Sequence, residues 1–376
     1  MASLPPFSPP VRALFWISAA LIVWTQALYA PALALLRRLK GSPPTAPGAD
    51  CMPSVTLIVA AYKEEAVITA KVANARALDY PGLEVIVAVD GGDDGTVHGA
   101  HGADQVLALP RGGKYVAQDA AVQVARGEVI AFSDANTMWA PDALRTLVRA
   151  FADPQVGYAC GNVSFTNEAG TNQEGLYWRY EMFLRAQESA LASVTGGNGA
   201  IYAVRRTAYD QVDPTMGHDL AMPFQMVKAG FRAVYVPEAR ATEKMVPSIE
   251  GEWARKRRMM AYGWPIVLQG GLLDPRGYSP LYALMIASHR LLRYGTPFLH
   301  VLTALATLAL LGRGGVYKAA AAAQLALVGA AASQSRAKPV LVARYYVLTT
   351  AALALGLYDW LRHGTTAGWE AAEGTR

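Results

Sequence analysis

Acidic side chains follow two apolar stretches of this sequence and are the first candidates for chemistry. Asp90 ends the run LEVIVAVD, and Asp134 ends the run EVIAFSD. In Asp134-Ala135-Asn136 the first and third side chains point the same way if the chain is extended. A carboxylate and an amide oxygen so placed could ligate Mg²⁺ or Mn²⁺, which neutralises phosphate groups. The plainer interpretation of one strand-end aspartate is a helix cap or a turn residue.

The segments around these acids alternate between strands and helices. Short runs rich in Val and Ile predict buried strands, and apolar residues three to four positions apart predict helices. This order implies a parallel sheet with helices on both faces, in which ligands bind at the carboxyl ends of the strands. The predicted strands cover 54–62, 83–92, 103–109 and 128–136, and the predicted helices cover 63–78 and 114–125.

The composition indicates a membrane protein. Of 376 residues, 53% are hydrophobic and only 17% are charged, which is too apolar for a typical soluble enzyme. Residues 13–36 carry no charge and are long enough to cross a bilayer. A cleaved signal peptide is the alternative, but Arg37, Arg38 and Lys40 follow the apolar run instead of preceding it. The same basic residues predict that this end of the helix faces the cytosol.

A second apolar block lies near the carboxyl terminus. Residues 294–312, 319–333 and 339–361 predict three further spans, giving about four in all. Residues 280–288 are too few to span and are expected to lie at the membrane interface. The formal net charge of +5 sits largely beside these runs, which favours a lipid bilayer and not a nucleic acid as the partner.

These patterns divide the chain into six segments. The two cysteines, Cys51 and Cys160, make neither a disulfide framework nor a zinc site. We expect a transmembrane helix and basic flank at 1–40, a linker at 41–50, an α/β domain at 51–245, interfacial basic helices at 246–290, about three transmembrane helices at 291–361, and a polar tail at 362–376.

Four short motifs occur at the predicted strand ends in the order VAAYKEE, VDGGDDGT, GGK and SDAN. Together they resemble the nucleotide-sugar-binding half of family 2 glycosyltransferases, which have the GT-A fold. There the first strand reads like P-A-Y-N-E, the second ends in D-D-G-S-x-D-G-T, a Gly-Lys helix follows, and the fourth strand ends in D-x-D. A dinucleotide-binding dehydrogenase is excluded, because no G-x-G-x-x-G follows the first strand.

The resemblance assigns roles on the donor side. Tyr62 and its neighbours would border the nucleotide, Asp90 would contact the base with Lys114 nearby, and Asp134 would sit by the diphosphate and a divalent cation. Asn136 replaces the second acid of D-x-D, which weakens the expected cation ligand. The donor-binding residues implied by the resemblance are Ala61, Tyr62, Glu64, Asp90, Lys114 and Asp134, and the metal residues are Asp134 and Asn136.

The acceptor half continues the resemblance. TGGNGAIYAVRR resembles the family's Gly-rich segment and places Gly197 and Asn198 on the acceptor side. GHDLAMPFQMVKAGFRAVYVPEA resembles the segment that opens with an acidic pair, which here is His218-Asp219. An inverting transfer needs a base to deprotonate the acceptor hydroxyl, and we expect Asp219 to be that base. His218 is the alternative, either titrating near neutral pH or simply packing.

The basic stretch EWARKRRMMAYGW takes the place of the Q/R-x-x-R-W motif of cellulose, hyaluronan and chitin synthases. Arg255 and Arg258 fit the spacing, and Met259 stands where Trp is expected. These arginines are expected to bind the donor by steadying the leaving diphosphate, although a basic helix on a membrane surface explains them too.

The resemblance therefore implies an integral membrane enzyme with a cytoplasmic GT-A domain. We expect it to transfer a sugar from a nucleotide-sugar donor, with a UDP-sugar favoured, to a lipid-linked or growing glycan acceptor in envelope or exopolysaccharide synthesis. One alternative is a processive polysaccharide synthase that extrudes its polymer. The other is a catalytically inactive membrane scaffold, which the presence of Asp90, Lys114, Asp134 and Asp219 disfavours.

Overall fold

The computed structural model describes residues 9–41, 52–92, 94–166, 174–246 and 248–365. The strands are β1 Val55–Ala61, β2 Glu84–Asp90, β3 Gln105–Leu109, β4 Val129–Asp134, β5 Met138–Trp139, β6 Val156–Thr166, β7 Tyr202–Arg205 and β8 Arg232–Lys244. The α-helices of the α/β domain are α3 Glu65–Arg76, α4 Thr96–Gly99, α5 Lys114–Val124, α6 Ala143–Val148, α7 Glu174–Leu191 and α8 His218–Lys228.

The remaining helices come before and after this domain. At the amino-terminal end, α1 Pro9–Val23 and α2 Tyr29–Lys40 are joined by a π-helical turn, Trp24–Leu28. After the domain come α9 Ile249–Leu268, α10 Pro280–Met285, a π-helical turn Ile286–Leu291, α11 Leu292–Leu310, α12 Gly315–Ala332 and α13 Lys338–His363.

The strands of the described residues form one mixed sheet in the order β3-β2-β1-β4-β7-β6-β8-β5. Its first four strands run parallel, which confirms the predicted parallel sheet. Each predicted strand and helix of this half occurs within about two residues of its expected ends. Beyond β4 the strands no longer all run parallel, because β7 pairs antiparallel with both β4 and β6. The periodicity of single strands could not reveal that change, since it depends on which strands pair.

Hydrophobic cores cover both faces of the sheet, as the predicted helix-on-both-faces arrangement requires. Successive side chains of β1 alternate between them. Leu57 and Val59 face the core shared with α3 and α6, whereas Ile58 faces the core shared with α5 and α8. The second core continues into the helices on either side of the domain, since Tyr29 of α2 and Tyr294 of α11 belong to it. The apolar helices are therefore packed against the domain.

Within the described residues, four helical segments are long and apolar enough to cross a membrane: Pro9–Lys40, Pro280–Arg313, Gly315–Ala332 and Lys338–His363. They correspond to the four predicted spans. The prediction of a separate interfacial segment at 280–288 is wrong in its boundary, because that segment continues directly into α11 as one 34-residue helix. In the sequence, His289, Arg290 and Arg293 interrupt the apolar pattern. In the fold these side chains contact α7 and Thr195 of the α/β domain, so they do not end the helix.

The predicted linker at 41–50, apart from Gly41, lies outside the described residues, as do Cys51 and most of the predicted tail. Cys160 is buried in β6 and has a free thiol. Burial raises the pKa of that thiol to about 11, so it stays protonated and packs as a small apolar side chain.

Candidate active site

The carboxyl ends of three neighbouring strands bring the predicted donor residues together. β1 lies between β2 and β4, and its last residues Ala60 and Ala61 are in register with Asp134 of β4 and Val89 of β2. Asp90 therefore stands on one side of the end of β1, and Asp134 stands on the other. Parallel pairing creates this proximity between residues that are far apart in the sequence.

Asp90 is held by the loop that precedes α5. One oxygen of its carboxylate accepts hydrogen bonds from the backbone N–H groups of Gly112 and Gly113, at 2.7 and 2.9 Å. The other oxygen accepts from Arg111 Nη1 at 2.9 Å. The side chain is nearly fully buried. A carboxylate has about four acceptor sites, so the predicted contact of Asp90 with a base remains a prediction that this geometry permits.

Arg111 also stacks on the predicted nucleotide residue Tyr62. Its guanidinium carbon lies 3.3 Å from the centre of the Tyr62 ring. Arg111 thus covers one face of the Tyr62 ring and links this residue to Asp90. A small depression next to this pair is lined by Ala60, Ala61, Tyr62, Asp90 and Lys114. Sequence reasoning missed Arg111, although its place two residues before the Gly-Lys pair could have drawn attention to it.

The chain turns sharply between β1 and α3. Lys63 has a φ of +53°, a left-handed conformation that is uncommon outside glycine. The next residue, Glu64, is buried, and its backbone N–H donates a 2.8 Å hydrogen bond to Thr96 Oγ1. Glu64 therefore lies at the same end of the sheet as Asp90, but its side chain faces the interior, and its predicted donor contact stays a prediction.

The predicted diphosphate residues form a polar group at the end of β4. The Lys114 ammonium group makes a salt bridge with the Asp134 carboxylate, and both side chains are largely buried. Asn136 Nδ2 donates a 3.2 Å hydrogen bond to Oε1 of Glu243, which lies near the end of β8. Sequence reasoning missed Glu243, because 107 residues separate it from Asn136 and no motif marks it.

A cavity of about 370 Å³ opens beside this group, within the range of small-molecule sites. Ala61, Tyr62, Glu64 and Asp90 do not line it but lie at the adjoining strand edge, and Lys114 borders both places. The predicted residues that line the cavity are Lys114, Asp134, Asn136, Gly197, Asn198, His218, Asp219, Arg255 and Arg258. Lining residues not predicted from the sequence include Tyr115, Arg185, Glu243, Lys256, Arg290 and Tyr294.

Asp219 lies in the first turn of α8 and is partly exposed to this cavity. Burial raises the pKa of its carboxyl group above the usual value of 3.8, and the charge of Asp134 adds to that effect. The cations Lys114 and Arg185 oppose it, so the net shift is upward. A carboxylate whose pKa is raised is a stronger base. These properties suit the predicted role of Asp219.

His218 has a different environment from its neighbour. It is buried, its ring centre lies 4.6 Å from that of Tyr115, and Nδ1 is 3.1 Å from the Tyr202 hydroxyl. Burial, with a smaller effect of Lys114, lowers the pKa of His218 to about 3. The lowered pKa favours a neutral imidazole and the packing interpretation over titration near neutral pH.

The Gly-rich segment allows close contacts around Asp219. The N–H of Gly197 donates a 2.6 Å hydrogen bond to the backbone carbonyl of Asp219, and its own carbonyl accepts from the Arg185 guanidinium. Asn198 uses its side chain within the fold, since Nδ2 donates to the Gly161 carbonyl at 2.7 Å and Oδ1 accepts from the Ile201 N–H at 2.9 Å. Asn198 thus shapes the acceptor-side wall of the cavity.

The basic stretch after the domain forms α9, along the cavity. Arg255 pairs with Glu252 through two 2.9 Å hydrogen bonds, and Lys256 Nζ lies 3.1 Å from the same carboxylate. Despite burial, Lys256 and Arg255 lower the pKa of Glu252 to about 2. Arg258 lines the cavity and is exposed, as is Met259 in the place of the expected Trp. The helix therefore presents Arg255, Lys256 and Arg258 to the cavity. The two hydrogen bonds to Glu252 fix the position of the Arg255 side chain.

Buried charges attach the apolar helices to the domain. His289, in the π-helical turn before α11, lies between two carboxylates of α7, with Nδ1 2.7 Å from Glu188 and Nε2 3.3 Å from Glu181. Arg293 pairs with Glu181, and the Tyr29 hydroxyl of α2 donates to Glu188 at 2.8 Å. Ion pairs as buried as these break only at high cost. The candidate span Pro280–Arg313 is thus fixed to the cavity wall.

The oxygens near Asp134 suit a hard divalent cation. Carboxylates and amide carbonyls are the ligands that Mg²⁺ and Mn²⁺ prefer. In the parts of the chain that the structure describes, no three His, Cys, Asp or Glu side chains are grouped to hold a metal. The protein would supply few ligands and leave the others to phosphate oxygens, as is usual for Mg²⁺.

The fold and this site together define the catalytic domain of a GT-A-type glycosyltransferase. Asp134 at the end of β4, Lys114 at the start of α5 and Asp219 of α8 line one cavity, and Asp90 lies at the adjoining strand end. The chain belongs to the family described as glycosyltransferase like family 2, whose model matches residues 53–261.

Similar proteins agree with this classification. An N-acetylglucosaminyltransferase of Mesorhizobium japonicum is 31% identical over 244 residues, which cover 57% of each chain. A beta-monoglucosyldiacylglycerol synthase of Synechocystis is 28% identical over 281 residues, or 66% of this chain and 57% of that protein. The chain thus spans between half and two thirds of these relatives. A solved mannosyltransferase from Pyrobaculum calidifontis, in complex with GDP-Man and Mn²⁺, has the same fold, with a TM-score of 0.72, 24% identity and coverage of 93% of this chain and 99% of that one.

Proposed function

We propose that this protein is an inverting membrane glycosyltransferase that uses a nucleotide-diphosphate sugar, with UDP-sugars favoured, and a lipid-linked or growing glycan acceptor. The observation that carries the proposal is the shared cavity. Asp134 and Lys114 of the donor edge, the candidate base Asp219, and Arg290 at the start of an apolar helix all line it. The residues proposed to bind the donor and the start of a candidate membrane span therefore line the same cavity.

The transfer follows from these positions. Asp219 takes the proton of the acceptor hydroxyl, whose oxygen then forms a bond to the anomeric carbon of the sugar. The bond from that carbon to the diphosphate breaks, and the configuration inverts. Lys114 and Arg258 steady the negative charge that develops on the diphosphate. A divalent cation held by Asp134 and Asn136 would neutralise part of the same charge.

A lipid-linked acceptor is favoured by the location of the cavity wall. Arg290 and Tyr294 belong to the candidate span Pro280–Arg313, so an acceptor anchored in the bilayer could reach the base without leaving the membrane. Relatives named N-acetylglucosaminyltransferase and beta-monoglucosyldiacylglycerol synthase make UDP-N-acetylglucosamine and UDP-glucose the first donors to test. The basic residues 37, 38 and 40 support placing the domain on the cytoplasmic side of the inner membrane.

The proposal is tested by incubating the purified protein in lipid nanodiscs with radiolabelled UDP- and GDP-sugars and a lipid extract. We expect label from one UDP-sugar to enter an organic-soluble product of low mass. A labelled polymer that grows with time would instead support the processive synthase. No transfer from any donor, with the protein folded, would contradict the proposed function.

A further inference from the structure

The end of β4 lacks an acid that the site would be expected to have. In Asp134-Ala135-Asn136 only the first side chain is anionic, and that carboxylate is already in a salt bridge with Lys114. A divalent cation beside a diphosphate takes hard oxygen ligands, and anionic ones bind it most strongly. The tripeptide and Lys114 together bring little negative charge to the place where that cation would bind.

A carboxylate from a distant strand lies beside the position of the missing acid. Glu243 Oε1 accepts the 3.2 Å hydrogen bond from Asn136 Nδ2, and Glu243 and Asn136 line the cavity together with Asp134. The Glu243 carboxylate therefore lies at the cavity, within hydrogen-bond distance of the amide that stands in place of the second acid.

The two residue types are complementary in charge. An Asp at position 136 would place a second carboxylate about 3 Å from Glu243, and like charges so close repel strongly. Asn at 136 removes that repulsion and donates a hydrogen bond to the remaining acid. A D-x-D sequence carries a negative charge at its third position. Here the nearby negative charge is that of Glu243 on β8.

We propose that Glu243 supplies the second carboxylate of the divalent-cation site, in place of the acid that is absent at position 136. This inference rests on the proposed function, because the cation is expected to act on a nucleotide diphosphate. It adds a ligand that no sequence motif marks. The resulting set of Asp134, Asn136 and Glu243 is all oxygen, and it is small enough to leave positions for phosphate oxygens.

The inference is tested by measuring Mn²⁺ binding in the presence of UDP by electron paramagnetic resonance, without turnover. In Glu243→Gln the amide oxygen can still accept from Asn136, so the contact survives while the charge is lost. We expect Mn²⁺ affinity to fall by about 10- to 100-fold. In the double variant Asn136→Asp with Glu243→Gln the charge returns to position 136. We expect this variant to recover most of the affinity.

The matched control is Glu238→Gln, which removes an exposed acid from the same strand and should leave Mn²⁺ binding unchanged. Wild-type affinity in Glu243→Gln, with affinity lost in Asp134→Asn, would overturn the role of Glu243 and leave the proposed function intact. Failure of the double variant to recover, with a normal melting temperature, would also overturn it. Absence of Mn²⁺ binding in the wild type, with UDP bound, would overturn both the inference and the cation dependence.

Discussion

The hydroxyl of Tyr158 occupies the space where a side chain at Gly197 would begin. A Cβ atom built on Gly197 would lie 1.8 Å from that oxygen, and Tyr158 is fully buried in β6. We therefore expect Gly197→Ala to displace the segment that holds the backbone of Asp219, lowering kcat/KM at least tenfold and destabilising the fold by about 1–3 kcal/mol. Steady-state kinetics and thermal unfolding check both effects.

Two further variants test this explanation. Gly295→Ala is the control, because a Cβ there meets nothing within 4 Å. It should leave activity and stability near those of the wild type. Adding Tyr158→Phe to Gly197→Ala removes the closest atom and should restore part of the activity. If Gly197→Ala is as active as the control, the close contact does not matter for the position of Asp219.

Two adjacent arginines of α9 have different surroundings, so a variant of one serves as the control for a variant of the other. Arg258 lines the cavity, whereas Arg257 pairs with Asp359 of α13 at 2.6 Å. We expect Arg258→Ala to weaken UDP binding about tenfold, since it removes a cation near the diphosphate. Arg257→Ala should lower the melting temperature slightly and leave UDP affinity unchanged. Calorimetric titration of both variants with UDP distinguishes them, and equal losses of affinity would contradict the assignment to Arg258.

The donor half of the site could be predicted from sequence because it consists of local motifs at strand ends. Asp90, Lys114 and Asp134 each follow a recognisable strand or open a helix, and parallel pairing then brings them together. Glu243 and Arg185 could not be predicted, because nothing local marks them and the fold brings them from distant strands and helices. His218 was ambiguous for a related reason, since its pKa depends on burial among Tyr115, Phe132 and Tyr202.

The boundaries of the apolar helices also depend on distant contacts that local sequence does not reveal. Hydropathy identified four spans, yet it broke Pro280–Arg313 at its charged residues. His289 and Arg293 pair with glutamates of α7, and Arg290 donates to Thr195; local hydropathy cannot include such partners, because they are distant in the sequence. Charged residues within an apolar stretch therefore marked the contact between membrane helix and catalytic domain.

The pH dependence of kcat/KM should report the carboxyl group of Asp219. Its raised pKa places the acid limb above pH 3.8, because the base must be ionised in the free enzyme. Lys114 lowers that pKa, so we expect Lys114→Gln to move the limb to higher pH while reducing the overall rate. Arg145→Gln, which removes a cation of α6 that pairs with Asp79, should not move it. A limb that stays in place or moves to lower pH in Lys114→Gln would contradict the assignment.

We expect Lys71 to make the stability of the fold depend on pH. It is fully buried under the end of β4, donates a 2.6 Å hydrogen bond to the Thr137 carbonyl, and has its pKa lowered by burial from 10.5 to about 7. The unfolded chain therefore binds more protons between pH 7 and 10.5, and stability should rise across that window by up to about 1.4 kcal/mol per pH unit. Thermal unfolding from pH 6 to 10 measures this rise, which Lys71→Met should flatten. An equal rise in the variant would show that Lys71 is not its source.

Asp219 is proposed to act on the acceptor, whereas other residues of the cavity bind the donor. The most direct measurement compares UDP-sugar binding and transfer in Asp219→Asn. We predict that transfer falls by about 10²- to 10⁴-fold, the contribution of a general base, while donor affinity stays within about threefold of the wild type. Transfer at the wild-type rate by the variant would contradict the account, and so would loss of donor binding that accounts for all of the lost transfer.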